Sequence, residues 1–397
     1  WNIEHRVREY FAFYLTLIGG VYGVFLSFDL FLLFVFYEIA IIPKYFLIAI
    51  WGSTRREYGA MKLALYSFAG SALVLIGILA AYVVADANTF DLFQLAAHEY
   101  PESFQIWAFP LVFVGFAVLA GMWPFHTWAP TGHVAAPTAA SMLLAGVVMK
   151  LGAYGAFRVA ITLFPLGLQA WQNEIALLAI IGIVYGAMVA WTQKDFKFVI
   201  GYSSVSHMGF VLLGLATMNV IGWSGAVLQM FSHGILAGLL FAVVGRMIYE
   251  RTHTRDLQEL SGMQLAKKLP FVTFVFVVAG LASMGMPGFS GFVAEIQVLI
   301  GAWQAFPLYS VIAGFGIVIG VGYTLKVIQL VFFPPEGTSV TESVEPFPPV
   351  TLPEKIGAWM LMLVSLWVGL YPSLLLDWIV PAFETPLFDA ARKGAGW

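Results

Sequence analysis

The chain has 397 residues, of which 60% are hydrophobic and 10% are charged, and its mean hydropathy is +0.87. Soluble globular proteins carry about 25% charged residues, so this composition excludes a water-soluble fold and indicates a protein whose solvent is the lipid bilayer. The net charge of −3 gives no basis for nucleic-acid binding, and the absence of cysteine excludes disulfides, thiolate zinc sites and cysteine-bound iron–sulfur clusters from these residues.

The first residues do not have the form of a signal peptide. Charged side chains at Glu4, Arg6 and Arg8 come directly before the first apolar run, and a signal peptide needs a short apolar stretch ending in a small-residue cleavage site. Because the sequence starts at Trp1 rather than at methionine, we expect natural N-terminal residues to precede it.

Eleven mostly apolar runs follow, each at least as long as the roughly 20 residues that a spanning helix needs. None alternates with a period of two, and backbone groups in lipid must be satisfied internally, so each run predicts an α-helix and the fold class is all-α. The runs cover about 8–27, 28–50, 57–84, 104–128, 137–163, 170–193, 196–218, 221–249, 269–302, 304–333 and 354–376. The tail at 377–397 is amphipathic and interrupted by Pro381 and Pro386, so we expect it to lie on the membrane surface.

Basic residues collect on one side of the predicted spans. That side receives Arg6, Arg8, Arg55, Arg56, Lys194, Lys197, Arg246, Arg251, Arg255, Lys267, Lys268 and Lys355. Acidic residues occupy the loops of the other side, at Asp29, Asp86, Asp91, Glu99, Glu102 and Glu174. The positive-inside rule therefore places the first side in the cytoplasm and the tail outside.

Two of the runs contain a proline between glycine and aromatic residues, Pro124 in 121–125 and Pro287 in 285–289. Proline removes a hydrogen-bond donor and clashes with the preceding turn, so each helix should break near mid-membrane. A harmless kink is the simpler interpretation. The broken runs are the fourth and the ninth, however, and this spacing favours two five-helix repeats, 8–163 and 170–333, before a final helix at 354–376. Paired interruptions of this kind point to a transport site.

Five ionisable residues lie at or near the centre of predicted spans, where a charge costs about 2.5–3.5 kcal/mol. They are Glu38, Lys150, His207, His233 and Glu295. Each alone has an ordinary explanation, as a hydrogen-bonded packing histidine or as a glutamate paired with a lysine. Together they predict a row in the membrane plane, and desolvated Glu, Lys and His side chains hold or release a proton at modest cost. The row therefore predicts a route for protons.

Other polar residues in the spans receive ordinary interpretations. Lys62 and Lys326 lie nearer their helix ends and can extend their amines to the interface. Lys44, six residues after Glu38 and near the end of its run, is expected to do the same. Metal binding is not expected, because no carboxylate accompanies His126 and His133 at ligand spacing.

Several motifs resemble those of the antiporter-like membrane subunits of respiratory complex I, in particular the subunit M, or chain 4, branch. They are WPFHTW at 123–128, APTA at 136–139, KLGAYG at 150–155, YSSVSHMG at 202–209 and GFVAE at 291–295. The resemblance covers nearly the whole chain, and the YSSVSHMG string is highly specific.

The resemblance implies a transmembrane domain at 1–376 with two inverted five-helix repeats. It implies fourteen family helices, of which this chain holds the fourth to the fourteenth, with the amphipathic tail at 377–397. It also implies that Glu38, Lys150, His207, His233 and Glu295 transfer protons, without a cofactor in this chain. Quinone, NADH or ferredoxin and iron–sulfur clusters are expected in partner subunits of the membrane-bound complex, with the bacterial cytoplasmic membrane as its location.

One position departs from the family pattern. The family carries a lysine just before the first break, where this chain has Leu119, so Glu38 needs another cation for the family's charge switch. His126 is one possible substitute. Two alternative functions stay open: a cation/proton antiporter or membrane-bound hydrogenase subunit, and a membrane scaffold that has lost pumping, which Leu119 favours.

Overall fold

The structure is a computed structural model that describes residues 3–335 and 347–395, and its regular structure is helical. No strand occurs in this part of the chain, so the prediction of an all-α fold is confirmed. The helices are α1 Val7–Leu26, α2 Leu30–Trp51, α3 Arg56–Ala85, α4 Leu92–Ala97, α5 Glu102–Ala120, α6 Trp128–Ala135, α7 Thr138–Ile161, α8 Pro165–Thr192, α9 Phe196–Ala216, α10 Val220–Thr252, α11 Leu257–Ser261, α12 Leu265–Lys268, α13 Pro270–Ser283, α14 Ser290–Ala305, α15 Pro307–Phe332, α16 Leu352–Leu370, α17 Ser373–Ala382 and α18 Asp389–Ala395.

Nine of the described helices are long and apolar enough to span a bilayer, namely α1, α2, α3, α5, α7, α8, α9, α10 and α15. Helices α16 and α17 meet the same criterion together, with a bend of 69° between them. The apolar helix α13 is shorter and is followed by α14 after a break. Large apolar side chains such as Leu308 and Phe315 remain 68% and 64% exposed, as lipid-facing residues do. The chain is a polytopic helical membrane protein.

Both predicted helix breaks are present. Helix α5 ends at Ala120, directly before Gly121 (φ +84°), and α13 ends at Ser283, two residues before Gly285 (φ +81°). Both glycines have a left-handed backbone. The two breaks also have equivalent hydrogen bonds. The amide of Met122 donates to the Ala117 carbonyl, and the amide of Met286 donates to the Leu281 carbonyl.

Two pairs of aspartates close equivalent turns at opposite ends of the helix bundle. Asp29 caps α2 and pairs through its backbone with Asp91, which caps α4. Asp195 caps α9 and pairs in the same way with Asp256, which caps α11. The second pair lies at the end of α2 away from Asp29, because Arg255 donates to the Val134 carbonyl at 3.2 Å beside the loop that follows α2.

Helix α16 is fixed to α10 by ion pairs. The Glu354 carboxylate accepts from Arg246 Nε and from Arg251 Nη2, both at 2.8 Å. The same Glu354 side chain caps the start of α16 by accepting from the Thr351 amide. These contacts hold the last long helix against the one that carries His233.

The C-terminal tail has one buried face. Phe383 and Phe388 pack around Phe157 and Trp223, whereas Trp378 is 80% exposed. Pro381 lies inside α17 and does not interrupt it, because the helix ends only after the next residue. Residues 396 and 397 of the predicted tail lie outside the described residues.

Candidate functional site

The amine of Lys150 meets the ring of His233 where α7 crosses α10. Lys150 Nζ lies 2.7 Å from His233 Nδ1, and it also donates to the Ala145 carbonyl. The two helices approach closely at a glycine pair, since a Cβ on Gly234 would lie 2.7 Å from the Gly146 carbonyl oxygen. Lys150 is only 4% exposed, so its amine finds its partners inside the protein.

The local shape of α7 suits this position. The helix widens into π-helical turns at Leu144–Val148 and Ala156–Ile161, on either side of Lys150. Such turns leave carbonyl groups without their regular α-helical partners and occur frequently at functional sites. The Ala145 carbonyl that accepts from Lys150 belongs to the first of them.

His207 of α9 pairs with Glu295 of α14. His207 Nδ1 lies 3.1 Å from Glu295 Oε1, and the side chains are 12% and 5% exposed. The other ring nitrogen, Nε2, lies 3.3 Å from the Ser283 hydroxyl, which is on the last residue of α13. The helix break thus contributes a polar contact to the histidine.

The two pairs join into one row through the imidazole rings. The ring centroids of His207 and His233 are 5.4 Å apart. The Gln229 amide nitrogen lies 3.4 Å from His207 Nδ1 and 3.5 Å from Glu295 Oε1. His207 Nδ1 therefore has two partners within reach: it donates to Glu295 when it carries a proton and accepts from Gln229 when it does not.

Gly285 makes room for the carboxylate at the end of the row. A Cβ on this residue would lie 2.8 Å from Glu295 Oε2, which is closer than real Cβ contacts come. The left-handed backbone at Gly285 (φ +81°) independently favours glycine. The break in the helix thus positions both Ser283 and Glu295.

The structure places Glu38 apart from the other four predicted residues. Within the described chain, no hydrogen bond or ion pair joins it to Lys150, His233, His207 or Glu295. Its Oε1 atom is buried and has no hydrogen-bond partner among the described residues. The row predicted from the sequence is therefore seen in the structure as four adjacent residues and one separate glutamate.

The interpretation of Lys44 as an interface anchor is wrong. Its side chain is 1% exposed, and its Nζ has no hydrogen-bond partner in the described part of the chain. It shares the inward stripe of α2 with Tyr37, seven residues earlier, because two helical turns bring a side chain back to the same face. Lys326, by contrast, is exposed, and its amine donates to the Trp191 carbonyl at 2.9 Å.

His126 does not pair with Glu38 among the described contacts. It lies in the first break, 2% exposed, with its ring 5.1 Å from that of Tyr185 and 6.3 Å from that of Tyr202. Leu119 is 1% exposed and belongs to the apolar core. Neither position supplies the cation that Glu38 was expected to need.

Sequence reasoning missed Gln229, Ser283 and His133. Gln229 lies one helical turn before His233, so its position on the same face was readable from the spacing. For Ser283 the sequence indicated only its place before the break and not its contact with His207. His133 is fully buried with both ring nitrogens unpartnered among the described residues, and sequence reasoning considered it only as a metal ligand. The described residues include no group of three or more His, Asp or Glu side chains arranged for a metal ion.

Comparisons with known proteins agree with this architecture. The family model described as NADH:quinone oxidoreductase/Mrp antiporter transmembrane protein matches residues 27–320. The chain is 38% identical over 395 residues to NADH-quinone oxidoreductase subunit M of Rhodobacter capsulatus, covering 96% of this chain and 76% of the relative.

Solved structures show the same fold. A chain of respiratory complex I from Thermus thermophilus superposes with a TM-score of 0.89 at 29% identity, covering 98% of this chain and 80% of that one. A chain of the Mrp complex from Dietzia sp. DQ12-45-1b has a TM-score of 0.83 at 24% identity, with coverage of 96% and 78%, and so shares the fold. The chain belongs to the family of membrane subunits common to NADH:quinone oxidoreductases and Mrp antiporters.

Proposed function

We propose that this chain is a proton-translocating membrane-arm subunit of a complex I-type quinone oxidoreductase. The observation that carries the proposal is the continuous row from Lys150 through His233 and His207 to Glu295, buried inside the helix bundle. Charged groups in spanning helices mark ion pathways, because they are costly elsewhere. The names of the related subunits support NADH as electron donor and quinone as acceptor in partner chains.

The contacts support a sequence of proton transfers. An ammonium at Lys150 gives its proton to His233 Nδ1, leaving a neutral amine and an imidazolium. The proton passes from the His233 ring to the His207 ring, and His207 Nδ1 then gives it to Glu295, which becomes a neutral acid. Each step moves one proton between groups that accept and release it, so charge is conserved along the row. No hydrogen bond joins the two rings among the described contacts, and their centroids are 5.4 Å apart, so the transfer between them needs a bridging water or a ring rotation.

We further propose that the chain contains two inverted five-helix repeats in a transmembrane domain at 1–376. The paired glycine breaks and the two aspartate bridges at opposite ends of the bundle support this arrangement. Other membrane-arm subunits are the expected partners, since the similar solved chains come from multi-subunit complexes. The relatives are bacterial, which supports the cytoplasmic membrane as the location.

Two other functions have specific support. The fold shared with an Mrp complex chain favours a cation/proton antiporter subunit, for which transport in vesicles would depend on sodium. Leu119, buried in the apolar core, favours a scaffold without pumping. If this chain were a scaffold, the complex would move its normal number of protons even when the polar row of this chain is substituted.

The test is the number of protons moved per electron pair by the assembled complex in proteoliposomes. With Lys150→Ala or Glu295→Gln, we expect this ratio to fall while quinone reduction continues, because electron transfer takes place in other chains. Assembly is checked by the yield of intact complex. An unchanged ratio in both intact variants would overturn the proposal in favour of the scaffold, and a ratio that requires sodium would favour the antiporter.

A further inference from the structure

A second group of buried polar side chains lies in the first half of the chain, around Lys44 of α2. This amine is 1% exposed, and no hydrogen bond to it exists in the described residues. A buried ammonium is costly unless it is paired or gives up its proton. No hydrogen bond among the described residues therefore offsets the cost of burying the Lys44 amine.

Glu38 is the acidic group that acts on Lys44. It lies six residues earlier on the same helix, and the charges of the two side chains influence each other. A helical rise of 1.5 Å per residue separates their backbones by about 9 Å along the axis. Glu38 Oε1 is likewise buried without a hydrogen-bond partner among the described residues.

Two hydroxyl groups of α3 lie along the stretch of α2 between Glu38 and Lys44. Ser71 lies beside the Glu38 carboxyl, and α2 and α3 are antiparallel neighbours joined by a short loop. Ser67 is one turn closer to the start of α3, which is the end of α2 nearest Lys44. The Ser67 hydroxyl is 1% exposed and unpartnered in the described part of the chain. It therefore lies at a depth between the carboxyl and the amine.

Apolar packing covers one side of this region, in which the Glu38 side chain as a whole is half-buried. Tyr37, the neighbour of Glu38, packs its ring edge-on against Phe116 of α5 with centroids 5.4 Å apart, and its hydroxyl is buried without a partner among the described residues. The region thus contains several buried polar atoms without partners among the described residues, and charges interact more strongly where water is excluded.

We propose that Lys44 and Glu38 form a second proton-exchanging pair in the first half of the chain. Glu38 in its acid form gives a proton to the neutral amine of Lys44 through a hydroxyl or water, producing a carboxylate and an ammonium. The reverse step restores the neutral pair, and the net charge is zero throughout. This inference rests on the proposed function, because it assigns Lys44 to the same proton movement.

Lys44→Met and Lys44→Arg in the assembled complex test the pair, with Lys326→Met as the control, since Lys326 is an exposed lysine in a spanning helix. Met keeps the length of the side chain and removes the amine, so we expect normal assembly and at least a twofold fall in protons moved per electron pair. Arg keeps the positive charge but does not release a proton, so we expect the same fall. The control should pump normally.

The outcomes separate this inference from the proposed function when Lys150→Ala is measured alongside. A full proton ratio in Lys44→Met, with a reduced ratio in Lys150→Ala, would overturn the Lys44–Glu38 pair alone. A full ratio of protons to electrons in Lys44→Arg would overturn proton exchange, because it would show that a fixed positive charge at this position is enough. Failure of Lys44→Met to assemble would also count against the inference, because the structure describes no contact that needs the amine. A full ratio in Lys150→Ala would overturn the proposed function itself.

Discussion

At the scale of single residues, the site depends on side chains that each have two partners within reach. His207 Nδ1 faces both Glu295 and Gln229, at 3.1 and 3.4 Å. A histidine that only stabilised the fold would need one hydrogen-bond partner. The second partner of His207 Nδ1, at a similar distance, stabilises the ring after its proton has moved to Glu295. Gln229 is therefore a positioning residue that lowers the cost of breaking the His207–Glu295 contact.

Gln229→Leu should slow proton pumping about tenfold. A hydrogen bond between uncharged groups contributes up to about 1.5 kcal/mol, and a tenfold change in rate corresponds to about 1.4 kcal/mol. Without the amide, His207 Nδ1 stays paired with Glu295 and releases its proton more slowly. The measurement is the initial rate of proton uptake into proteoliposomes, with Gln258→Leu on the exposed surface of α11 as the control. Equal rates in the two variants would contradict the role given to Gln229.

At the scale of helices, the sequence was sufficient for the elements and insufficient for their contacts. The apolar runs and the two proline-containing breaks were predictable, because hydrophobic length and proline chemistry are local properties. The partners of Lys150 and Glu295 were not, because they come from α10 and α9, far away in sequence. Lys44 was misread for a related reason: distance from a helix end does not reveal which neighbouring helices cover a side chain.

Gly285→Ala should impair pumping more than Gly121→Ala does. Holding a non-glycine residue in the left-handed conformation costs about 1–3 kcal/mol at either position, so this penalty is shared. At either position the added Cβ would lie 2.8 Å from the terminal atom of a side chain, Glu295 Oε2 at Gly285 and the terminal methyl of Met149 at Gly121. Only Glu295 belongs to the proton row, so only the first clash displaces a group that transfers protons. We expect the ratio of protons to electrons to fall in the first variant and to change little in the second.

Gly314→Ala is the control for these two substitutions, because a Cβ added at this position in α15 would have no heavy atom of a neighbouring element within 4 Å. Complex containing Gly314→Ala should pump normally. If Gly285→Ala and Gly121→Ala behave alike, the helix break does not position Glu295.

At the scale of the whole molecule, the polar groups form two centres within an apolar bundle. One contains Lys150, His233, His207 and Glu295, and the other contains Glu38 and Lys44. The row was predictable from the sequence, but the contacts within it were not. The sequence does not reveal that Lys150 and His233, 83 positions apart, are in contact at 2.7 Å. The matching aspartate bridges at the two ends of the bundle support the two proposed five-helix repeats, and the row draws Lys150 from the first repeat and its other three residues from the second.

The central claim is that the four side chains from Lys150 to Glu295 form one proton path. The most direct measurement compares the protons moved per electron pair in Lys150→Ala, in Glu295→Gln and in the double variant. If the residues act in series, either substitution interrupts the path, and the double variant should lose no more than the more severe single variant. Losses that add in the double variant would contradict the account, because they would show that protons cross by separate routes.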